Sequence, residues 1–566
     1  MSIVLPQSVG EVKLFDTTFR DGFQQGGDMQ MSDDDALKTL RRLDEMGVHY
    51  AEIAFGGAHK FGADLIQAAS KLSFGQLKLA VFGRTRKAKT AVKDHPDIQK
   101  ILAAEVPVGV LVCKSRLVDV LKSLQTWPEE NLAMIADSVQ YLKSAGLEVI
   151  LDLEHSMDAV CGRGGYGEKI SEDDARLNLS YFWEVVDRGL VAGADSIVIC
   201  DTTGGASPEE VAELFDRLTS DYPGVEFGFH GHNDNDLATA NSRAAILHGA
   251  RQIHLVINGH GERCGNSNAC SLIPRLQLKD GIPLVTLEAL QQITSLSRAT
   301  ANALNRDPSD RAPFVGNFAF GTMAGMHAAP EAEDSSGVRR NPGEYFQCQP
   351  EAVGNTPFIG VNRQSGASNI MAFSKAVGVP LNGAQAKEFG KRFKEIIEAG
   401  GFEISRTSFI LACRQVCGDH QEFFQIGDFE VTSTCVSGLL RNKAEIRVSA
   451  NGQPEEHIVA NGDGPVDALA KAFCKALGQF YPAIKQVHLG GFNLLALNVK
   501  EQETGALVRV LAEFTCNGCS WETVGVSTNS NEAALKALID GYRWFLQEIA
   551  PQFKKEVAET TAKTAG

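Results

Sequence analysis

Two histidines one residue apart, His230 and His232 in Glu226-Phe-Gly-Phe-His-Gly-His-Asn-Asp234, point both imidazoles the same way if the run is a strand. Phe227 and Phe229 then face the opposite side. Two neutral imidazoles on one face at a strand end make two thirds of a facial metal site with positions open for substrate. The third ligand has to be a carboxylate from another strand end, and Asp21 in Leu14-Phe-Asp-Thr-Thr-Phe-Arg-Asp-Gly22 is the best candidate. A lone His-x-His is more often a solvated pair, so the elements around it must carry the case.

Those elements are countable. From Val12 to about Gly261, short apolar runs alternate with amphipathic helical stretches: Val12–Thr18, Tyr50–Phe55, Lys78–Gly83, Val108–Cys113, Glu148–His155, Ser196–Thr202, Glu226–His232 and Gln252–Gly261. Eight buried strands separated by helices predict a parallel (β/α)8 TIM barrel. The first helix shows the signals clearly. Ser32 caps it, Asp33 to Asp35 suit its positive end, Leu37, Leu40, Leu43 and Met46 make its stripe, and Gly47 permits a left-handed stop. In such a barrel chemistry sits at the carboxyl ends of the strands, and the polar residues gather there. Arg20 and Asp21 follow strand one, Glu154 and His155 close strand five, Thr202 closes strand six, and strand eight runs into Asn258-Gly-His-Gly-Glu-Arg-Cys-Gly-Asn266.

The chain has 566 residues, which predicts two or three domains. Against 54 Lys and Arg stand 70 Asp and Glu, a net charge of −16 without a basic run, so nucleic acid is not an expected partner. No apolar run approaches a membrane span, and the first residues lack a signal peptide's charged and apolar regions, so no membrane partner and a cytoplasmic location are expected. The 12 cysteines are scattered, as buried reduced thiols are. Cys516-Asn-Gly-Cys519 reads as a two-residue hairpin turn rather than a zinc or redox site.

The predicted domains are the barrel over 1–300, a helical linking subdomain over 301–425, an α+β C-terminal domain over 426–550, and a disordered tail over 551–566. The C-terminal part holds a repeat. Ala444–Val448, a turn at Asn451-Gly452, a strand around His457 to Ala460 and a helix Pro465–Leu477 are echoed by Ala506–Val510, Asn517-Gly518, Thr523–Val526 and Glu532–Phe545. Two β-β-α units are expected. Gly162-Arg-Gly-Gly-Tyr-Gly167 lacks the spacing and the Lys-Ser/Thr of a nucleotide loop, so it is expected to be a flexible loop after strand five, placed above the rim to act as a lid or to reshape the pocket there.

Together, Asp16-Thr-Thr-Phe-Arg-Asp-Gly22, His230-Gly-His-Asn-Asp234 and Gly259-His-Gly-Glu-Arg-Cys-Gly-Asn266 resemble the acyl-CoA-dependent 2-alkylmalate synthases, the isopropylmalate, homocitrate and citramalate synthases. The likeness continues through Phe318–His327, Val353-Gly-Asn355 and Gly462-Asp-Gly-Pro-Val-Asp-Ala468. Phrases such as Cys200-Asp-Thr-Thr-Gly-Gly205 look most like citramalate synthases. The resemblance implies a metal-dependent condensation of acetyl-CoA with a 2-oxo acid, pyruvate first of all, in a homodimer. It implies that Thr202 holds the substrate carboxylate, that Glu154 orients the partners and that Asn266 lies near or on the metal. It makes His327 the base that takes a methyl proton, with Tyr345 as its hydroxyl partner, both reaching a neighbouring subunit's site. Ordinary loop capping competes with the roles of Thr202 and Asn266.

Beside the resemblance, Arg20 suits an oxygen that becomes an alkoxide, since a guanidinium stays charged and offers several donors. Carboxylate and imidazole ligands admit Mn, Mg, Zn or Co. The repeat domain resembles the family's allosteric module, which implies an amino-acid effector, with Gly462 and Gly464 allowing close approach of a small ligand. Departures bear on the 2-oxo acid: Phe19 and Phe23 flank the first motif, Ala54-Phe-Gly-Gly-Ala58 differs from the family's loop, and Ala367 stands where Arg is expected. Phenylpyruvate and 2-oxoisovalerate are therefore alternatives to pyruvate. A lyase acting on a 3-hydroxyacyl-CoA and a non-catalytic amino-acid sensor are more distant ones.

Overall fold

The computed structural model describes residues 10–24, 31–55, 60–304, 306, 309–322, 343–356, 358–359, 366–400, 406–450, 452–496, 506–516 and 519–551. His327, Asn451, the turn residues 517–518, the segment 56–58 and the tail from 552 lie outside them. The chain forms two compact units, residues 1–320 with 346–358, and residues 321–345 with 359–566.

The first unit is the expected closed barrel of eight parallel strands in sequential order. They are β1 (Lys13–Asp16), β2 (Tyr50–Phe55), β3 (Lys78–Arg84), β4 (Val108–Lys114), β5 (Glu148–Glu154), β6 (Ser196–Asp201), β7 (Phe227–Gly231) and β8 (Gln252–Leu255). The side chains inside the barrel pack as one cluster of Phe15, Tyr50, Ala80, Phe82, Val108, Val110, Ile150, Val198 and Cys200. A larger apolar shell lies between strands and helices, with Phe229 meeting Phe215 edge-on at 6.1 Å, which puts Phe229 opposite the neighbouring histidines. Ser32 caps helix Asp33–Glu45 as expected, its Oγ accepting from Asp35 N at 3.2 Å.

β8 is shorter than its apolar run suggested. It ends at Leu255 and gives way to a tight turn at Ile257–Gly259, where Asn258 (φ +61°) and Gly259 (φ +70°) take the left-handed region that no strand can continue through. The glycine loop after β5 has a defined form. It is a short hairpin, with Gly164 N donating to Glu168 O at 2.7 Å and Arg163 Nη2 donating to both Glu210 oxygens at 2.6 and 2.7 Å. Tyr166 is left fully exposed at its tip.

The second unit carries helices Gly383–Gly400 and Arg406–Cys417 and then the repeat. Each repeat has three antiparallel strands before its helix rather than two. The additional leading strands, Phe424–Val436 and His488–Ala496, are edge strands; the second of them is exposed along most of its length, so no one-sided apolar alternation marks it in the sequence. Cys516 pairs directly with Cys519 across strands Val508–Cys516 and Cys519–Ser527, the two-residue hairpin that Asn-Gly predicts. The helices Pro465–Phe480 and Ser530–Trp544 share one apolar core, in which Phe473 stacks on Tyr542 at 5.4 Å and Phe514 on Trp521 at 5.5 Å. Among the described residues no helix is long and apolar enough to cross a membrane.

Candidate active site

The first motif builds the turn that carries Arg20 and Asp21. The Asp16 carboxylate accepts from Thr18 N at 3.1 Å and Thr18 Oγ1 at 2.8 Å, and Thr18 Oγ1 in turn accepts from Ile257 N at 3.0 Å. Thr17 N donates to Leu255 O at 2.8 Å. Asp-Thr-Thr thus stitches the end of β1 to the end of β8. The amides of Arg20, Asp21 and Gly22 then close back on Thr17 O at 3.2, 2.9 and 3.1 Å. Burial pushes the Asp16 carboxyl up to about 7, against the pull of its Thr18 hydrogen bonds.

The second and third motifs are bound to each other. Asn233 N donates to Gly265 O at 2.9 Å, and Ser267 N to Gly231 O at 3.2 Å. Arg263 grips both Asp234 oxygens at 2.8 and 2.9 Å and donates to Thr202 O at 2.7 Å. The loop after β8 is held over the end of β7, where the imidazoles emerge.

At that point Asp21, His230 and His232 converge, all buried, with one potential ligand atom from each within 4.8 Å of the others. His230 Nε2 lies 3.4 Å from His232 Nε2, and Asp21 Oδ2 lies 3.3 and 3.9 Å from them. Burial and the neighbouring His230 push His232 down to about 3, so its ring presents a lone pair. Burial works to raise Asp21, but Arg20 and His230 outweigh it and hold the carboxyl well below the usual carboxylate range. Asp21 Oδ1 and Asn266 Oδ1 are buried without a protein partner. Such orphans in a native site need a ligand, water or ion to satisfy them. Gly261 makes room for them: a Cβ there would stand 2.0 Å from Asn266 Nδ2 and 3.3 Å from Asp21 Oδ1. The donor set of one carboxylate, two imidazoles and an amide oxygen fits a divalent cation.

Arg20 is 8% exposed, with Nε on Glu52 Oε2 at 2.6 Å, Nη1 on Asp21 Oδ2 at 3.1 Å and the guanidinium 4.3 Å above the Phe82 ring. Burial opposes its charge, but Glu52 and Asp21 more than compensate, so it stays a cation. Arg20, Asp21, Glu154, Thr202, His230 and His232 line a single cavity of about 770 Å³. Thr202 Oγ1 accepts from His155 N at 2.8 Å, which leaves its hydroxyl hydrogen free to donate into the cavity. Glu154 pairs with Lys114 Nζ at 2.5 Å. Tyr345, in the second unit, is exposed. In the second unit, Gly462 sits where a Cβ would strike Ala468 N at 2.3 Å, whereas Gly464 has open space around its Cα.

Three participants escaped the sequence reading: Glu52, Asp152 and Lys114. The first two are acidic residues inside otherwise apolar strands, 0% and 2% exposed, and that contradiction of the strand pattern was the available signal. Burial pushes Glu52 up against the pull of Arg20, and burial with nearby Glu52 pushes Asp152 well above the usual range.

The HMGL-like family model matches residues 11–299, and the LeuA allosteric (dimerisation) domain matches residues 403–546. The chain is 36% identical to an (R)-citramalate synthase from Aquifex aeolicus over 94% of its own length and 97% of that protein. It is also 36% identical to one from Synechocystis sp., over 94% and 96%. A probable 2-isopropylmalate synthase from Methanopyrus kandleri is 27% identical, over 82% and 85%. A solved HMG-CoA lyase structure in complex with coenzyme A and 3-methylmalate aligns at TM-score 0.43 and 19% identity, over 53% of this chain and 92% of that one.

Proposed function

The chain belongs to the HMGL-like family and, with its LeuA allosteric (dimerisation) domain, to the 2-alkylmalate synthases, and we propose that it condenses acetyl-CoA with pyruvate to give citramalate and free CoA. One observation carries this reading: Asp21, His230 and His232 converge beside Arg20 at the mouth of a barrel in a chain that an (R)-citramalate synthase matches over 94% of its length.

Asp21, His230 and His232 would hold a divalent cation, with Asn266 Oδ1 as a further donor. When bound, the cation supplies Lewis acidity that makes the keto carbon of the 2-oxo acid electrophilic. Thr202 donates its free hydroxyl hydrogen to the substrate carboxylate. Arg20, locked against Phe82 by Glu52, keeps its charge where negative charge develops on the keto oxygen. Glu154, steadied by Lys114, orients the two substrates. His327 removes the methyl proton of the acetyl thioester, with Tyr345 as its hydroxyl partner, both supplied by the neighbouring subunit of a homodimer. Water then cleaves the thioester, which drives the reaction forward. The catalytic, linking and regulatory segments are assigned to 1–300, 301–425 and 426–550, and the protein works in the cytoplasm.

The C-terminal repeats bind an amino-acid effector near Gly462 and Gly464. Leucine, isoleucine and phenylalanine titrated into the assay test this, and no response to any of them leaves the repeats as a dimerisation module only. The central test is thiol release from acetyl-CoA by the metal-loaded chain with pyruvate, 2-oxoisovalerate, 2-oxoglutarate and phenylpyruvate. Release with pyruvate that a chelator abolishes is expected. Release with none of the four overturns the reading, and cleavage of a 3-hydroxyacyl-CoA instead points to the lyase. Preference for phenylpyruvate would move the assignment to 2-benzylmalate.

A further inference from the structure

We propose that Asp152 selects the group carried on the 2-oxo carbon, admitting a methyl or a short hydroxylated chain and rejecting branched apolar ones. The inference rests on the condensation reading above and concerns the floor of the same cavity.

Asp152 stands on the inward face of β5, between Ile150, which belongs to the packed barrel interior, and Glu154 at the rim. It therefore occupies the position where packing stops and the cavity begins. The cavity it lines also takes in the apolar side chains of Phe82, Val112 and Cys200, with Val112 its registered neighbour on β4, and the buried Glu52 acts on it through charge. The carboxyl is 2% exposed, and its Oδ1 has no protein partner. Arg20 acts on it through charge, while its Nε and Nη1 are committed to Glu52 and Asp21. A carboxyl kept for structure would be paired, since a buried polar atom left alone costs stability. This one faces a space meant for something else. Burial also favours its protonated form, so it can donate as well as accept.

The substrate geometry supplies the occupant. With its carboxylate on Thr202 and its keto oxygen beside Arg20, a 2-oxo acid has one group left, and the thioester must enter from the open mouth. The remaining group turns to the floor. A methyl leaves room for a water on Asp152, and a hydroxylated chain satisfies it directly. A branched aliphatic chain displaces the water and strands the carboxyl.

The test uses the full chain loaded with Mg or Mn, as wild type, Asp152→Asn and Asp152→Leu. kcat/KM is measured for pyruvate and 2-oxoisovalerate, the Kd of each acid by calorimetry without acetyl-CoA, and the thermal midpoint of each metal-free variant. Asp152→Leu should shrink the preference for pyruvate about tenfold or more in both kcat/KM and Kd. Asp152→Asn, which still hydrogen-bonds, should change it by less than about threefold. Asp152→Leu should also raise the thermal midpoint, the mark of a group retained for function at the expense of stability. An unchanged preference in Asp152→Leu, or a lowered midpoint in both variants, overturns the proposal. Should the wild type release no thiol with any 2-oxo acid, the condensation reading fails, while the ratio of Kd values still decides what the floor selects.

Discussion

Glycine stands where space is short in both units, at Gly261 beside the barrel mouth and at Gly462 and Gly525 in the repeats, yet different atoms crowd it. At Gly261 the nearest atom is Asn266 Nδ2, which donates to His260 O, and beside it at 3.3 Å stands Asp21 Oδ1, a buried side-chain oxygen that no protein group satisfies. At Gly462 the nearest atom is Ala468 N at 2.3 Å, and at Gly525 it is Ala533 O at 1.9 Å, both from the backbones of the covering helices. Paired backbone is packing, whereas unpaired polar side chains are a site. Glycine in a motif signals close approach, and only the state of the approaching atoms says which kind.

The sharpest way to break that contrast is to remove a ligand. Asp21→Asn should lose its metal by elemental analysis and about 10³-fold or more in kcat, with the far-ultraviolet dichroism intact. Full turnover without metal would end the comparison. Arg20→Lys comes next, with a loss of roughly 10²–10³-fold in kcat in the thiol-release assay, because an ammonium cannot grip Glu52 and Asp21 while lying flat on Phe82. The glycines then separate the two units. Gly261→Ala should weaken metal binding by roughly 10–100-fold in a calorimetric titration. Gly525→Ala should instead cost the C-terminal unit roughly 2–4 kcal/mol in denaturant unfolding. Equal effects of both on metal affinity would erase the distinction.

The remaining expected effect is in pH, and it is small at neutral pH. His232 is held at about 3 in the folded chain, whereas an unfolded imidazole titrates near 6.5. Between those values the unfolded chain takes up the proton first, so acid destabilises the native state. Measured against His232→Gln, the metal-free protein should lose up to about 1.4 kcal/mol per pH unit as pH falls from about 6.5 toward 3. The full advantage is present above that window. A difference that stays flat between pH 7 and 5 would show His232 to be solvated.

Much of the barrel was legible because each strand is buried on both faces and bounded by helix signals. β7 was expected at 226–232 and is found at Phe227–Gly231. The leading strands of the repeats were not legible, because edge strands carry little of the one-sided burial that writes alternation into a sequence. At the site, Arg20, Asp21, Glu154, Thr202 and the two histidines could be gathered from the rule that strand ends share a rim, and they do line one cavity. Asn266 was placed by its motif, and the structure adds its orphaned oxygen.

The residue types at strand ends determined the barrel, the rim and the chemistry that a carboxylate with two imidazoles can do, since alternation and helix spacing are local properties. Closure decided the rest. Glu52 on β2 and Asp152 on β5 are far apart in the chain, and only a sheet curled into a cylinder brings one to Arg20 and turns the other to the cavity floor. Burial, which gives both carboxyls their unusual affinity for a proton, is a property of that enclosed space and is written in no single segment.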